Sequence, residues 1–260
     1  MSTDPHGWLP FQWQLLRGGP MEPAMHMALD EVLVYEVASG RRLPTLRIWE
    51  WASSAVVIGC FQSVRNEIDA EEAGRHGITV VRRISGGGAM FIEPGNTITY
   101  SIYAPESLVT GMSFIDSFAF LDTWLIDALA TLEVNAWYVP INDITSTGGK
   151  IGGAAQARRA GAVLHHVTIA YDIDSAKMMQ VLRIGREKLS DKAQTSAVKR
   201  VDPVRRQTGV TRAAVIDRMV ETFGAQHGLN PSTLTAEEIQ AARDLVESKF
   251  GTDAWLYQLA

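Results

Sequence analysis

The chain has 260 residues, 46% of them hydrophobic and 20% charged, with 24 Lys+Arg against 29 Asp+Glu and a formal net charge of −5. That balance suits an ordinary soluble globular protein and argues against a surface built mainly for nucleic acid. The single cysteine, Cys60, excludes an intrachain disulfide framework and fits a cytoplasmic location, and no apolar run reaches the length of a membrane span.

Residues 1–10, broken by Pro5, Gly7 and Pro10, read as a loose leader, and residues 11–260 as one domain. Residues 11–16 read as a first strand. Gly18-Gly19-Pro20 is a turn, and Pro23 opens a helix with Met25, Ala28, Leu29, Val32 and Leu33 on a core-facing side. Residues 46–51 and 55–59 read as two strands. Cys60 follows; a free cysteine is most often a small buried hydrophobe, and Arg65 is the one nearby group that would lower its pKa. A short helix starts near Glu67. Next comes a strand-like run, residues 78–81, leading into Arg82-Arg83-Ile84-Ser85-Gly86-Gly87-Gly88-Ala89-Met90, with a second strand over residues 96–103. The three glycines read as a hairpin turn whose exposed N–H groups form an anion nest. The two arginines add forks suited to carboxylate or phosphate.

Ser113 caps a long core helix through Phe114, Phe118, Leu121, Leu125, Leu129 and Leu132, and residues 134–139 form a strand. That strand feeds Asn142-Asp143, a turn over residues 145–149, and Lys150-Ile151-Gly152-Gly153-Ala154-Ala155. Small residues on both sides leave the Lys150 ammonium room to meet a bulky anion, and Asp143 is placed to hold a metal or a ribose. Residues 162–171 read as a strand that puts His165 and His166 on opposite faces, which disfavours a shared zinc ion. A short helix over residues 175–182, a basic loop over residues 186–206 and helices over residues 211–226 and 235–250 complete the chain. Thr235 and Glu238 form a capping box.

Taken together, Arg82 to Ala89, Gly95-Asn96, Asn142-Asp143, the Lys150 segment and His166-Val167-Thr168 resemble the lipoate protein ligase A family of the biotin/lipoate ligase superfamily, from about Leu15 onward. The resemblance implies an α/β (α+β) fold: a mixed β-sheet flanked by helices, like the catalytic domain of class II aminoacyl-tRNA synthetases. It implies ATP-dependent conversion of lipoate to lipoyl-AMP with Mg²⁺, and transfer to a lysine of a lipoyl carrier domain, whether a dehydrogenase E2, a glycine-cleavage H-type carrier or a specialised lipoate-binding protein. Lys150 is the expected catalytic residue. Arg82, Arg83, Ser85, Gly86, Gly87, Gly88, Ala89, Asn96, Asp143, Gly153, Ala154 and His166 are the expected substrate and ATP contacts, with Asp143 also at Mg²⁺ and Lys199 and Arg200 as weaker candidates. The segment around Cys60 is expected to line the acyl or nucleotide site. The length resembles the short form of the family, which implies a separate small accessory subunit.

Two alternatives stand beside this reading. Octanoyl or lipoyl transferases of the same fold hold the acyl group on a cysteine next to or beyond the lysine, where this chain has none. A non-catalytic acyl- or adenylate-binding subunit is the other. Ile92-Glu93 also departs from the family, which has His-Asp there, so no role for that histidine carries over.

Overall fold

The computed structural model describes residues 7–8, 10–183 and 201–259. Eight strands form one mixed sheet in the order β11-β1-β2-β6-β10-β9-β8-β7. These are β1 (Gln14–Arg17), β2 (Thr45–Trp49), β6 (Thr97–Pro105), β7 (Ala136–Val139), β8 (Asp143–Ser146), β9 (Gly149–Arg159), β10 (Ala162–Ala170) and β11 (Asn230–Ser232). A second sheet of three strands has β3 (Ala55–Ile58) between β4 (Thr79–Arg82) and β5 (Met90–Ile92). The mixed sheet flanked by helices is the architecture expected from the sequence.

Helices α1 (Pro23–Ala38), α2 (Val64–Glu67), α3 (Ala70–Arg75), α4 (Phe114–Ala130), α5 (Ser175–Val181), α6 (Val204–Thr208), α7 (Arg212–His227), α8 (Ala236–Leu245) and α9 (Asp253–Leu256) surround these sheets. On one face of the large sheet, α4 and α7 close a core around Tyr100, Trp124, Leu125, Val163 and Phe223. On the other face α1 packs between the sheet and α8, so it is buried nearly all round rather than on one stripe. The predicted caps hold: Ser113 Oγ accepts from the Asp116 amide, and Thr235 and Glu238 form a reciprocal box.

Three expectations change. Trp8 is buried, stacked 4.4 Å from His227 and edge-on to Phe223, so the core begins inside the stretch read as a leader. The glycine segment is not a hairpin turn. β3 pairs parallel with β4 and antiparallel with β5, so residues 83–89 cross over the end of β3, and β6 belongs to the other sheet. The turn read over residues 145–149 is shorter: β8 runs through Ser146 and β9 starts at Gly149, with Lys150 its second residue, opposite Thr145.

Candidate active site

The β8–β9 register slips between Ile144 and Thr145, so that Asp143 faces Gly153 while Thr145 faces Lys150. The extra residue, Ile151, turns into the core at 1% exposure. A bulge of this kind re-aims a side chain. Here it puts Lys150 on the face of Asp143 and Gly153, and Lys150 Nζ lies 2.6 Å from Asp143 Oδ1. A Cβ at Gly153 would sit 3.4 Å from that Nζ, so the glycine gives the lysine its path. The Lys150 backbone is tied in turn, its carbonyl accepting from the Asp202 amide at 2.9 Å.

This pair stands in a hollow of about 320 Å³. Its other walls come from Gly88, Ala89, Met90 and Phe91 on the crossover and β5, from Gly152 to Ala154 on β9, and from Met178, Met179 and Leu182 around α5. A second hollow, of about 520 Å³, is lined by Cys60, Phe61, Ile84, Gly86, Gly87, Phe114, Phe118, Ile141, Ala155 and Ala157, with Arg158 and Arg159 at the end of β9. Asn142 borders both, and residues 86–89 of the crossover run from one to the other. The crossover passes so close to β3 that a Cβ on Gly59 would lie 2.2 Å from the Gly87 carbonyl oxygen.

The two arginines part company. Arg82 is fully buried, and its guanidinium donates to the carbonyls of Gly59, Cys60, Gln62, Trp255 and Leu256. It pins the Cys60 loop and α9 to the end of β4 and lines neither hollow, so it does not stand as a substrate contact. A buried cation with no carboxylate needs such a ring of carbonyl acceptors. Arg83 reaches the Lys150 hollow but is also buried, and burial pulls its pKa down to about 10, so it is still charged at neutral pH.

Ser85 and His166 are buried against each other, Ser85 Oγ to His166 Nε2 at 2.7 Å, while His166 Nδ1 meets Asp30 Oδ2 at 2.8 Å. The three stand together as a Ser-His-Asp set, with the carboxylate supplied by α1. Ser85 lines neither hollow and its Oγ also accepts from Arg83 Nε at 2.9 Å, so this set holds structure rather than presenting a nucleophile. His165 does face the opposite way, as alternation required, and is bound to Asp122 of α4 at 2.7 Å.

Asn96 is not brought to the site. Its carbonyl accepts from the Tyr171 and Asp172 amides and its side chain reaches Glu93 at 3.4 Å. Ile92 is fully buried in the core around Trp49 and Trp51, which accounts for a hydrocarbon there. Glu93 turns the other way, accepting from Lys177 Nζ at 2.6 Å and from the Asp174 amide, so it anchors the start of α5. Lys199 and Arg200 lie outside the described residues.

Sequence reasoning missed the α5 methionines and the role of Phe114. Phe114 was read as core but is 54% exposed, with the Arg158 guanidinium 4.5 Å over its ring. Its place in the first turn of α4, directly after the Ser113 cap, was the available signal.

Cys60 borders the apolar hollow. Burial raises its thiol pKa despite Arg83, Arg159 and Arg82 nearby, so it is not a poised thiolate. Among the described residues Asp143 is the one carboxylate lining the Lys150 hollow, and no group of three metal-ligating side chains occurs. That donor set fits Mg²⁺ only where phosphate oxygens complete its shell, as is usual for this ion. No helix among the described residues is long and apolar enough to cross a membrane.

A lysine–aspartate pair thus stands in one hollow beside a second, largely apolar one. The chain belongs to the lipoyl protein ligase A/B catalytic domain family, whose model matches residues 22–224. It is 29% identical to octanoyltransferase LipM of Geobacillus kaustophilus, over 95% of this chain and 98% of that one. Among solved structures, it is similar to a bipartite lipoate protein ligase of Thermoplasma acidophilum studied with its E2 lipoyl domain, at 27% identity and TM-score 0.86, covering 96% and 98% of the two chains. It also resembles lipoate protein ligase A bound with ATP, at 26% identity and TM-score 0.82, over 96% and 100%. The protein is thus an enzyme of lipoyl or octanoyl transfer. The Geobacillus relative and the LipM of Brevibacillus brevis are octanoyltransferases, which agrees with the alternative drawn from the sequence more closely than with ATP-dependent ligation.

Proposed function

We propose that the chain activates a medium-chain acyl carboxylate, lipoate or octanoate, as its adenylate and passes the acyl group to a carrier-domain lysine. The observation that carries this is the meeting of the two hollows at residues 86–89 and Asn142. The acyl chain lies in the apolar hollow of Phe61, Ile84, Ala155 and Ala157, which suits hydrocarbon. Its carboxylate emerges at the crossover and attacks the α-phosphate of ATP held beside Lys150, and pyrophosphate leaves. The acceptor amine then attacks the acyl carbonyl, a proton is lost from nitrogen, and AMP leaves. No protein nucleophile is needed; positioning and charge neutralisation suffice. Lys150 neutralises charge on the phosphates. Asp143 holds the Nζ in place before ATP binds, and with bound Mg²⁺ it would share the clamp on those phosphates. The ATP-bound relative supports this reading.

The second reading is octanoyl transfer from a carrier thioester, favoured by the activity of the LipM relatives. It makes Cys60, the one thiol of the chain, the acyl holder. Incubating the chain and a lipoyl domain with lipoate plus ATP, and separately with an octanoyl carrier-protein thioester, separates the two. Modification with lipoate that requires ATP supports ligation. Modification from the thioester alone, abolished by Cys60→Ala, overturns it.

A further inference from the structure

The Arg83 guanidinium is spent inside the protein. Nε donates to Ser85 Oγ and to the Gly86 carbonyl at 3.2 Å, Nη1 to the Val57 carbonyl at 3.0 Å, and Nη2 to the Gly86 and Gly88 carbonyls at 2.6 and 2.8 Å. Only one Nη1 hydrogen is left over. Arg83 is therefore poorly placed to take an incoming anion as a fork. What it does is pull two carbonyls of the crossover inward. In a trans peptide the C=O of one residue and the N–H of the next point opposite ways. Drawing the Gly86 and Gly88 carbonyls to Arg83 turns the N–H groups of Gly87 and Ala89 to the other side. Neither amide donates a hydrogen bond among the described residues.

The orientation of Arg83 is itself fixed from behind. Asp30, on the buried face of α1 at 1% exposure, is acceptor only. Its Oδ1 takes the Tyr103 hydroxyl at 2.5 Å and the Ser101 hydroxyl at 3.2 Å, and its Oδ2 takes His166 Nδ1–H. That assigns the His166 tautomer: Nε2 accepts, Ser85 O–H donates to it, and the Ser85 lone pairs face Arg83 Nε–H. Each link leaves the next one direction to point.

We infer that Asp30 and His166 are positioning residues that act through Ser85 and Arg83 to hold residues 86–89 carbonyl-in and amide-out, so that the backbone N–H groups of Gly87 and Ala89 receive the negative charge of the reacting substrate. The inference rests on the reading that the crossover meets an anionic group of the substrate, and it moves Arg83, Ser85 and His166 from contact to support.

The test uses the full chain and the variants Ser85→Ala and His166→Gln. Each lowers kcat about a hundredfold, the usual scale for losing an oxyanion donor. KM for the acyl substrate moves by less than about threefold, since the apolar hollow is untouched. The double variant loses no more than about twofold beyond the worse single one, because both cut one line of support. In chain labelled with ¹⁵N-glycine and ¹⁵N-alanine, pyrophosphate shifts the Gly87 and Ala89 amides of the unsubstituted protein and leaves them unmoved in the variants. Retained kcat, retained amide response, or fully multiplicative losses would overturn the inference. Should the unsubstituted chain transfer no acyl group from either donor, the proposed function fails, and the pyrophosphate titration still decides the positioning role. If His166→Gln does not fold, Ser85→Ala, which removes one oxygen, carries the test.

Discussion

Gly59→Ala is the sharpest perturbation of the site at a residue that is not itself an expected substrate contact. Gly59 has an ordinary negative φ, so alanine brings no backbone strain; the whole effect is steric. The new methyl would lie 2.2 Å from the Gly87 carbonyl oxygen and 3.2 Å from the carbonyl carbons of Gly86 and Gly87. An ordinary carbon–oxygen contact is at least about 3.2 Å, so the crossover must move by roughly 1 Å. A displacement of that size at a reacting centre costs about a hundredfold in rate. The fold loses about 1–3 kcal/mol from overpacking, or a fall of roughly 2–10 °C in Tm for a chain of this size. Acyl transfer measured beside thermal unfolding separates the two effects: rate falls far more than the folded fraction at assay temperature. A Gly59→Ala protein with unchanged kcat would show that the crossover position is not what the site depends on.

Arg82→Met leaves the carbonyls of Gln62 and Leu256 without the guanidinium donor and leaves Gly59 with the Gln62 amide alone, so chemical denaturation is expected to show a loss of about 3 kcal/mol. Cys60 alkylation by iodoacetamide at pH 7.5 is expected to be slower than that of a free thiol and to rise above pH 9, because burial keeps the thiol protonated. Burial also lowers the pKa of His166 and, with help from Arg47, that of His26, so both are neutral in the native chain while the unfolded chain protonates them below about pH 6.5. The unfolded state then binds more protons, and stability falls as pH drops below about 6.5 until the native imidazoles themselves protonate. The pair contributes a slope of up to about 2.7 kcal/mol per pH unit, read from denaturation midpoints across pH. A flat profile between pH 6.5 and 5 would contradict the buried neutral assignment.

The periodic parts of the fold were legible. The α4 repeat, the alternation of His165 and His166, and both predicted caps follow from local rules that tertiary packing did not override. The site was legible in part: Asp143, Lys150 and Gly153 do meet on one face. The bulge that brings them together was not, because a one-residue register slip leaves no mark in residue types. Nor was the path of the glycine segment. Two strand-like runs either side of three glycines look like a hairpin, and the partner strand that separates them, β3, lies twenty residues upstream. Arg82 and Arg83 looked alike because a sequence shows charge and not the carbonyls that surround it. Asp30 was hidden for the same reason, as one of several polar residues on α1 beside His26, Glu31 and Glu36.

The most direct measurement of the central claim is a single-turnover mixture of the chain, ATP, Mg²⁺ and radiolabelled lipoate, quenched without acceptor and searched for acyl-AMP. The adenylate is expected with the unsubstituted chain and with Cys60→Ala, and at least about a hundredfold less with Lys150→Ala. Absence of the adenylate together with a labelled acyl-enzyme on Cys60 when an octanoyl thioester is supplied would contradict the account and make the protein a thioester-dependent transferase.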